Sequence, residues 1–198
     1  TLYTDTTNHW ARAYIAYCTN LGIISGRGDG TFDPEATVTG VEAAKMMLTA
    51  LGYDADVFGF TGAGWDAAVN VQANSAKLYA GVDSSNISTG MTRDNVAQLI
   101  YNGLNALVME KTYDKVLSNG EISYNYILSD YKTLMYTAMG AYRIEGIVEA
   151  NECADITANA GEAAMLAGKT SVRVTNADEI DKLNDAGGRT PLNITGAG

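Results

Sequence analysis

The sequence predicts an α+β chain, in which tandem helix-loop-helix repeats form a helical bundle and a small strand-rich module follows. Three observations carry this expectation. The chain aligns with itself when Trp10 is laid over Trp65, a repeat of about 55 residues. Within each copy, apolar residues recur at spacings of three and four and stop at glycines, which is the helical signature. From Tyr142 onward the apolar residues alternate instead with period two.

The bulk properties narrow the function before any motif is considered. The 198 residues are 46% hydrophobic, enough to bury a core for one large domain or two small ones. Thirteen Lys and Arg face 23 Asp and Glu, a net charge of −10, with the acidic residues spread along the chain. Nucleic acid is therefore not an expected partner, because binding it needs clustered cations that displace condensed counterions. Anionic lipid is disfavoured for the same reason, and no apolar run reaches the roughly eighteen residues that a membrane span needs. An anionic ligand would have to be held by a local site. Residues 1–30 contain no basic segment leading into an apolar one, so the chain reads either as cytoplasmic or as exported with its signal removed. Cys18 lies in an apolar helical pattern, and nothing in the sequence brings Cys153 to it.

Residues 1–55 form the first copy. Trp10, Tyr14, Tyr17 and Leu21 line one helical face and Gly22 ends it. A turn-rich loop follows, Gly26-Arg-Gly-Asp-Gly-Thr-Phe-Asp-Pro34, in which Phe32 can pin the loop to the core. Thr39 and Glu42 have the spacing of a capping box, and Ala43, Met46, Met47, Ala50 and Leu51 supply the buried stripe of the next helix before Gly52. Residues 56–110 are a divergent second copy with a loop shorter by two residues. There Thr92-Arg93-Asp94 aligns with Thr39-Gly40-Val41, and Val96, Leu99, Ile100, Leu104 and Leu107 make the stripe. Residues 111–140 are expected to be a helical connector or a diverged third repeat, because Tyr124, Ile127, Leu128, Tyr131, Leu134 and Met135 fall at roughly helical spacing. Residues 141–198 form the small β-rich module. Its strands are expected around Tyr142–Glu149, Val172–Val174 and Leu192–Ile194, with a short helix from Asn176 to Asp185.

The residues of the first copy resemble a known family. Tyr3-Thr-Asp5, His9-Trp10-Ala11, Leu21-Gly-Ile-Ile-Ser-Gly26, Asp29-Gly-Thr-Phe32, Pro34, Val38-Thr39 and Glu42-Ala43 look like the S-layer homology motif nearly end to end. Residues 58–107 match more weakly, keeping Trp65, Gly81, Thr92-Arg93 and the closing helix but losing the Asp-Gly-Thr-Phe loop. The resemblance implies a helical pseudo-trimer, since such motifs usually come in threes. It also implies an extracellular protein of the bacterial cell wall or surface layer, Gram-positive in type, held non-covalently to secondary cell-wall polysaccharide that often carries pyruvate ketals.

The family's Thr-Arg-Ala-Glu signature gives the candidate ligand residues. Capping accounts for its Thr and Glu but not for its Arg, and a guanidinium fork suits a carboxylate through two parallel charge-assisted hydrogen bonds. Here the position is Arg93, with Thr92 before it, whereas the first copy has Gly40. The better-preserved motif has thus lost the cation. The plainer reading of Arg93 is a solvated side chain or an ion pair with Asp94. Trp10 and Trp65 could stack on a sugar, but each opens an apolar face, for which core packing is the simpler role. Asp29 is a candidate ligand residue, for which a turn role is the simpler reading; the loop lacks the far-end ligand of a calcium site. Arg27-Gly28-Asp29 is explained by the same turn.

No catalytic residue, metal or cofactor is expected. His9 is the only histidine, which excludes multi-His constellations, and beside Trp10 in the motif it is explained by capping or packing at a helix start; no carboxylate pair is singled out by its context. Gly26-Arg-Gly-Asp-Gly lacks the Lys-Ser/Thr ending of a phosphate loop. The expected function is anchoring, with cell-wall polysaccharide as partner and self-association as a further property. Two alternatives stay open: degenerate repeats acting as structural self-assembly modules, and the anchor of a wall enzyme whose catalytic domain lies elsewhere.

Overall fold

Each helix-loop-helix copy begins with a short helix whose preceding turn is fixed by side chains, and ends with one that is capped. The computed structural model describes residues 3–151, 153, 168 and 170–175, and shows an α+β chain. The first copy holds a 3-10 turn at Thr4–Thr6, α1 (Arg12–Asn20) and α2 (Gly40–Ala50). The second holds α3 (Trp65–Ser75), a 3-10 turn at Ser84–Asn86 and α4 (Arg93–Asn105). The chain forms two compact units, Thr1–Gly140 and Ala141–Gly198.

The loop of the first copy is tied down by one carboxylate. Asp5 accepts hydrogen bonds from the backbone N–H of Phe32 (3.0 Å) and of Asp33 (2.6 Å), and the N–H of Thr4 donates to Gly30 O (3.1 Å). Phe32 packs on the ring of Tyr3, 5.5 Å between centroids, so it pins the loop to the N-terminal turn and not to the main core. At α2, Thr39 accepts from the N–H of Glu42 (3.3 Å), and the Glu42 carboxylate accepts in return from the N–H of Thr39 (2.8 Å). Two amide donors that no helical carbonyl can reach are thereby satisfied.

The core lies between the copies. Leu48 and Leu51 of the first copy are fully buried with Val69, Leu78 and Leu99 of the second and with Phe60 between them. α2 packs chiefly on α3 and secondarily on α4, where Met47 fills the space above Gly103. Consequently the most buried residues of α2 are Val41, Ala44 and Leu48, continued by Leu51, while Ala43, Met46, Met47 and Ala50 are half-buried. The expected stripe is thus rotated toward α3.

Two expectations about buried faces are corrected. On α1 the inward residue is Ile15, and Trp10, Tyr14, Tyr17 and Leu21 face solvent. On α4, Leu99 is buried but Ile100 is exposed, and Leu107 belongs to the following strand.

Residues 111–140 are not mainly helical. They contribute to an antiparallel hairpin of β1 (Leu107–Val116) and β2 (Ile122–Thr133), followed by the short helix α5 (Leu134–Met139). Lys111 lies opposite Tyr126 and Tyr113 opposite Tyr124, with an irregularity between Tyr113 and Lys115. The helical spacing was accidental, because the same stretch alternates with period two and carries Asn119-Gly120 at its tip. Gly120 takes φ +86°, which the turn needs and a side chain would oppose. The hairpin base is held to the loop after α2: Tyr126 donates to Asp54 (2.7 Å) and packs edge-on against Phe58. The hydrogen bond from Tyr126 holds the Asp54 carboxyl below its ordinary range.

In the second unit β3 (Gly146–Ala150) pairs antiparallel with β4 (Ser171–Val174), Val148 opposite Val172. The expected helix at Asn176 to Asp185 and the strand at Leu192 and Ile194 lie outside the described residues. Cys18 and Cys153 are free. No helix among the described residues is long and apolar enough to cross a membrane.

Two outcomes follow from these anchors. Thr39→Ala should cost about 1 kcal/mol through loss of the cap, read as a lower denaturation midpoint with an unchanged slope. For Asp5, the backbone donors of Asp33 and Phe32 depress the folded pKa. Its stabilisation is therefore complete above the unfolded carboxylate value and lost as pH falls through the folded one. Melting temperatures of the wild type and Asp5→Asn should differ at neutral pH and converge as pH falls through the depressed folded-state value of the Asp5 carboxyl.

Candidate functional site

The N-terminus of α4 presents the candidate cation. Thr92 takes an extended conformation and its hydroxyl accepts from the N–H of Asn95 (3.3 Å), which starts the helix at Arg93. Arg93 is exposed on the first turn and forms no ion pair among the described residues, with Asp94 or any other carboxylate. A guanidinium so placed is free to meet a carboxylate from solution in bidentate fashion.

The equivalent position in the first copy is closed by its neighbour. Gly40 is buried, and a Cβ there would lie 2.7 Å from Ile87 Cα and 2.8 Å from Asn86 O. The second copy's loop is stitched across this point. Val41 N–H donates to Ile87 O (2.9 Å), Met91 N–H donates to Val38 O (3.0 Å), and Thr39 bridges Gly90. Glycine stands where the motif expects arginine because backbone occupies the space the side chain would need.

The remaining candidates have different fates. Trp65 is half-buried against the core, and the Lys45 ammonium sits 5.0 Å from its ring centroid, so the ring serves the junction between copies. Trp10 is 81% exposed, and its ring neighbours among the described residues are those of His9 and Tyr14. The simpler expectation of a core role for Trp10 is therefore corrected. Its ring is available to a partner. Asp29 accepts from the hydroxyl (2.6 Å) and the N–H (3.0 Å) of Thr31, and the Thr31 hydroxyl bond lowers its pKa. One carboxylate oxygen, Oδ1, takes both bonds and so serves the turn. No hydrogen bond, ion pair or ring contact among the described residues joins Arg93, Trp10, Trp65 and Asp29 to one another.

Sequence reasoning missed the face of the hairpin. Lys111 lies 4.3 Å over the ring of Tyr124 and 5.6 Å from that of Tyr126, with Asp54 beyond. The Tyr126 hydroxyl raises the pKa of Lys111, so the cation persists. The Asn-Gly turn and period-two run would have revealed this face. Beside it, a shallow concavity lined by Gly52, Met109, Glu110, Lys132 and Leu134 holds a Lys132–Glu110 pair at 2.5 Å. Each charge offsets the other.

Among known protein families, the S-layer homology domain matches residues 2–44. The chain is 25% identical over 130 residues to the Middle cell wall protein of Brevibacillus brevis, covering 65% of this chain and 12% of that protein. It is 38% identical over 48 residues to an uncharacterized cell wall amidase of Bacillus anthracis, covering 24% of this chain and 9% of that one. The chain thus spans about a tenth of the length of these curated relatives. No solved structure matches.

The closure at Gly40 is testable. Alanine gains about 1 kcal/mol over glycine in an open helix. Here its methyl meets backbone that cannot rotate away, an overpacking worth about 1–3 kcal/mol. Gly40→Ala should therefore lower the melting temperature, whereas glycine-to-alanine at an open helical site would raise it.

Proposed function

We propose that this chain, whose residues 2–44 match the S-layer homology domain family, holds a bacterial surface protein to the cell wall by binding secondary wall polysaccharide. The domain is a non-catalytic anchoring module, and the relatives named as wall proteins support a place at the cell surface. The observation that carries the polysaccharide reading is Arg93, exposed and without an ion-pair partner at the head of α4. A chain of net charge −10 repels anions in general, so an acidic glycan has to be caught by a specific guanidinium. A ketal-linked pyruvate offers the planar carboxylate that such a group binds in two parallel hydrogen bonds. Thr92 orients Arg93 by fixing the helix start, and Trp10 offers an open ring for a sugar face. Trp65 and Asp29 support the frame, not the ligand. The exposed aromatic stripe of α1 supports self-association as a second property of the repeats.

A second reading keeps the anchor and adds a catalyst elsewhere. The relative named as an amidase matches over 9% of its length, which leaves room for a catalytic domain beyond the matched part.

The test is co-sedimentation with Gram-positive wall sacculi before and after hydrofluoric acid removes their secondary polysaccharide. The wild type should pellet with intact sacculi only. Arg93→Ala should lose most of that binding with an unchanged melting temperature, since an exposed first-turn arginine contributes little to stability. Equal binding to stripped sacculi would sink the polysaccharide reading.

A further inference from the structure

The sequence contains two Asn-Gly pairs, Asn102-Gly103 and Asn119-Gly120. In an unfolded chain the two are alike, because a glycine after asparagine sets no side chain in the way when its peptide nitrogen turns back on the asparagine amide carbon. The fold treats them differently.

Asn102-Gly103 lies inside α4, where the Gly103 N–H belongs to the helical ladder. Gly103 is buried, and Met47 fills the space where a Cβ would stand. The Asn102 amide is tied across the fold: Nδ2 donates to Leu78 O (2.9 Å) and Ala80 O (2.7 Å), and Oδ1 accepts from Gln98 Nε2 (2.9 Å). Freeing this pair means opening the packing between helices.

Asn119-Gly120 is exposed at the hairpin tip. The Gly120 N–H donates to Leu117 O (2.9 Å), a turn bond open to solvent whose release disturbs no core contact. Glu121 holds the Asn119 amide from both ends. Its N–H donates to Oδ1 (3.0 Å), and its carboxylate accepts from Nδ2 (2.8 Å). The first of these bonds is aimed at the oxygen that gathers negative charge when the amide carbon is attacked.

We propose that Asn119 is a self-modification site, where the side-chain amide is lost through a succinimide. Hydroxide takes the proton of the Gly120 N–H, and that nitrogen bonds to Cγ of Asn119. The Cγ–Nδ2 bond then breaks, and the amine leaves as ammonia with a proton from water. A second water opens the ring at either carbonyl and yields aspartate or isoaspartate. In balance one water is consumed and one ammonia released, and no oxidation state changes. The tip does not survive intact. Aspartate sets a second carboxylate against that of Glu121, where an amide donor stood, and isoaspartate adds a methylene to the backbone of the turn.

The test is prolonged incubation of the whole chain at mildly alkaline pH, native and in urea, followed by peptide mapping of both asparagines. The native protein should lose the Asn119 amide while Asn102 stays intact, with isoaspartate in excess of aspartate because the ring opens at both carbonyls. In urea both amides should be lost. Asn119→Gln, whose longer side chain closes such a ring poorly, should keep its amide in the native protein. Three results would overturn the proposal: an intact Asn119 in native protein while the urea sample converts, equal loss at Asn102 and Asn119 in native protein, or aspartate without isoaspartate, the product of direct hydrolysis.

Discussion

The fold depends on one junction, the packing of α2 against α3 across the boundary between copies. Neither helix-loop-helix copy has a core of its own: the fully buried side chains of the first unit come from α2, from the connecting segment and from the second copy together. This is the general condition of repeat architectures, in which a supersecondary unit too small to bury its own apolar face is completed by its neighbour. Everything distinctive about the two copies follows from which of them has a neighbour on which side.

Gly40 and Arg93 show the consequence at one position. Both are the first residue of a second helix, both follow a capping threonine, and both lie in the same motif. The second copy's loop roofs Gly40 so closely that a Cβ there would lie 2.7 Å from Ile87 Cα, and the residue has no side chain. Nothing among the described residues pairs with Arg93, which is exposed. The missing arginine of the first copy is thus a packing requirement of the junction. Trp10 and Trp65 make the same point on the first helices: one ring is open to solvent, the other is wedged against the core beneath Lys45.

The hairpin adds a different kind of surface. Its base is fixed by Tyr126, Asp54 and Phe58, whereas Tyr113, Val116 and Ile122 near its tip remain exposed. Lys111 is held over Tyr124 by the same arrangement, so a cation and aromatic rings share one face. Its helical appearance in sequence arose because Ile127 and Leu128 are adjacent apolar residues on opposite faces of the strand, which places them three and four residues from Tyr124 and Tyr131. The Asn119-Gly120 pair decides the matter in favour of a turn.

Local chemistry was legible in the sequence. The repeat, the cap at Thr39 and Glu42, the glycines closing the helices and the resemblance of residues 3–52 to the S-layer homology motif all rest on short-range geometry, which the chain encodes within a turn or two. Arg93 was identifiable as a ligand candidate for the same reason, because its helix position and its motif are local. Burial was decided only by tertiary structure. An apolar stripe records that a helix face is suited to a partner, not that the partner is present. Tyr14 and Val69 occupy the same place in the repeat, yet the neighbouring helix covers one and leaves the other open.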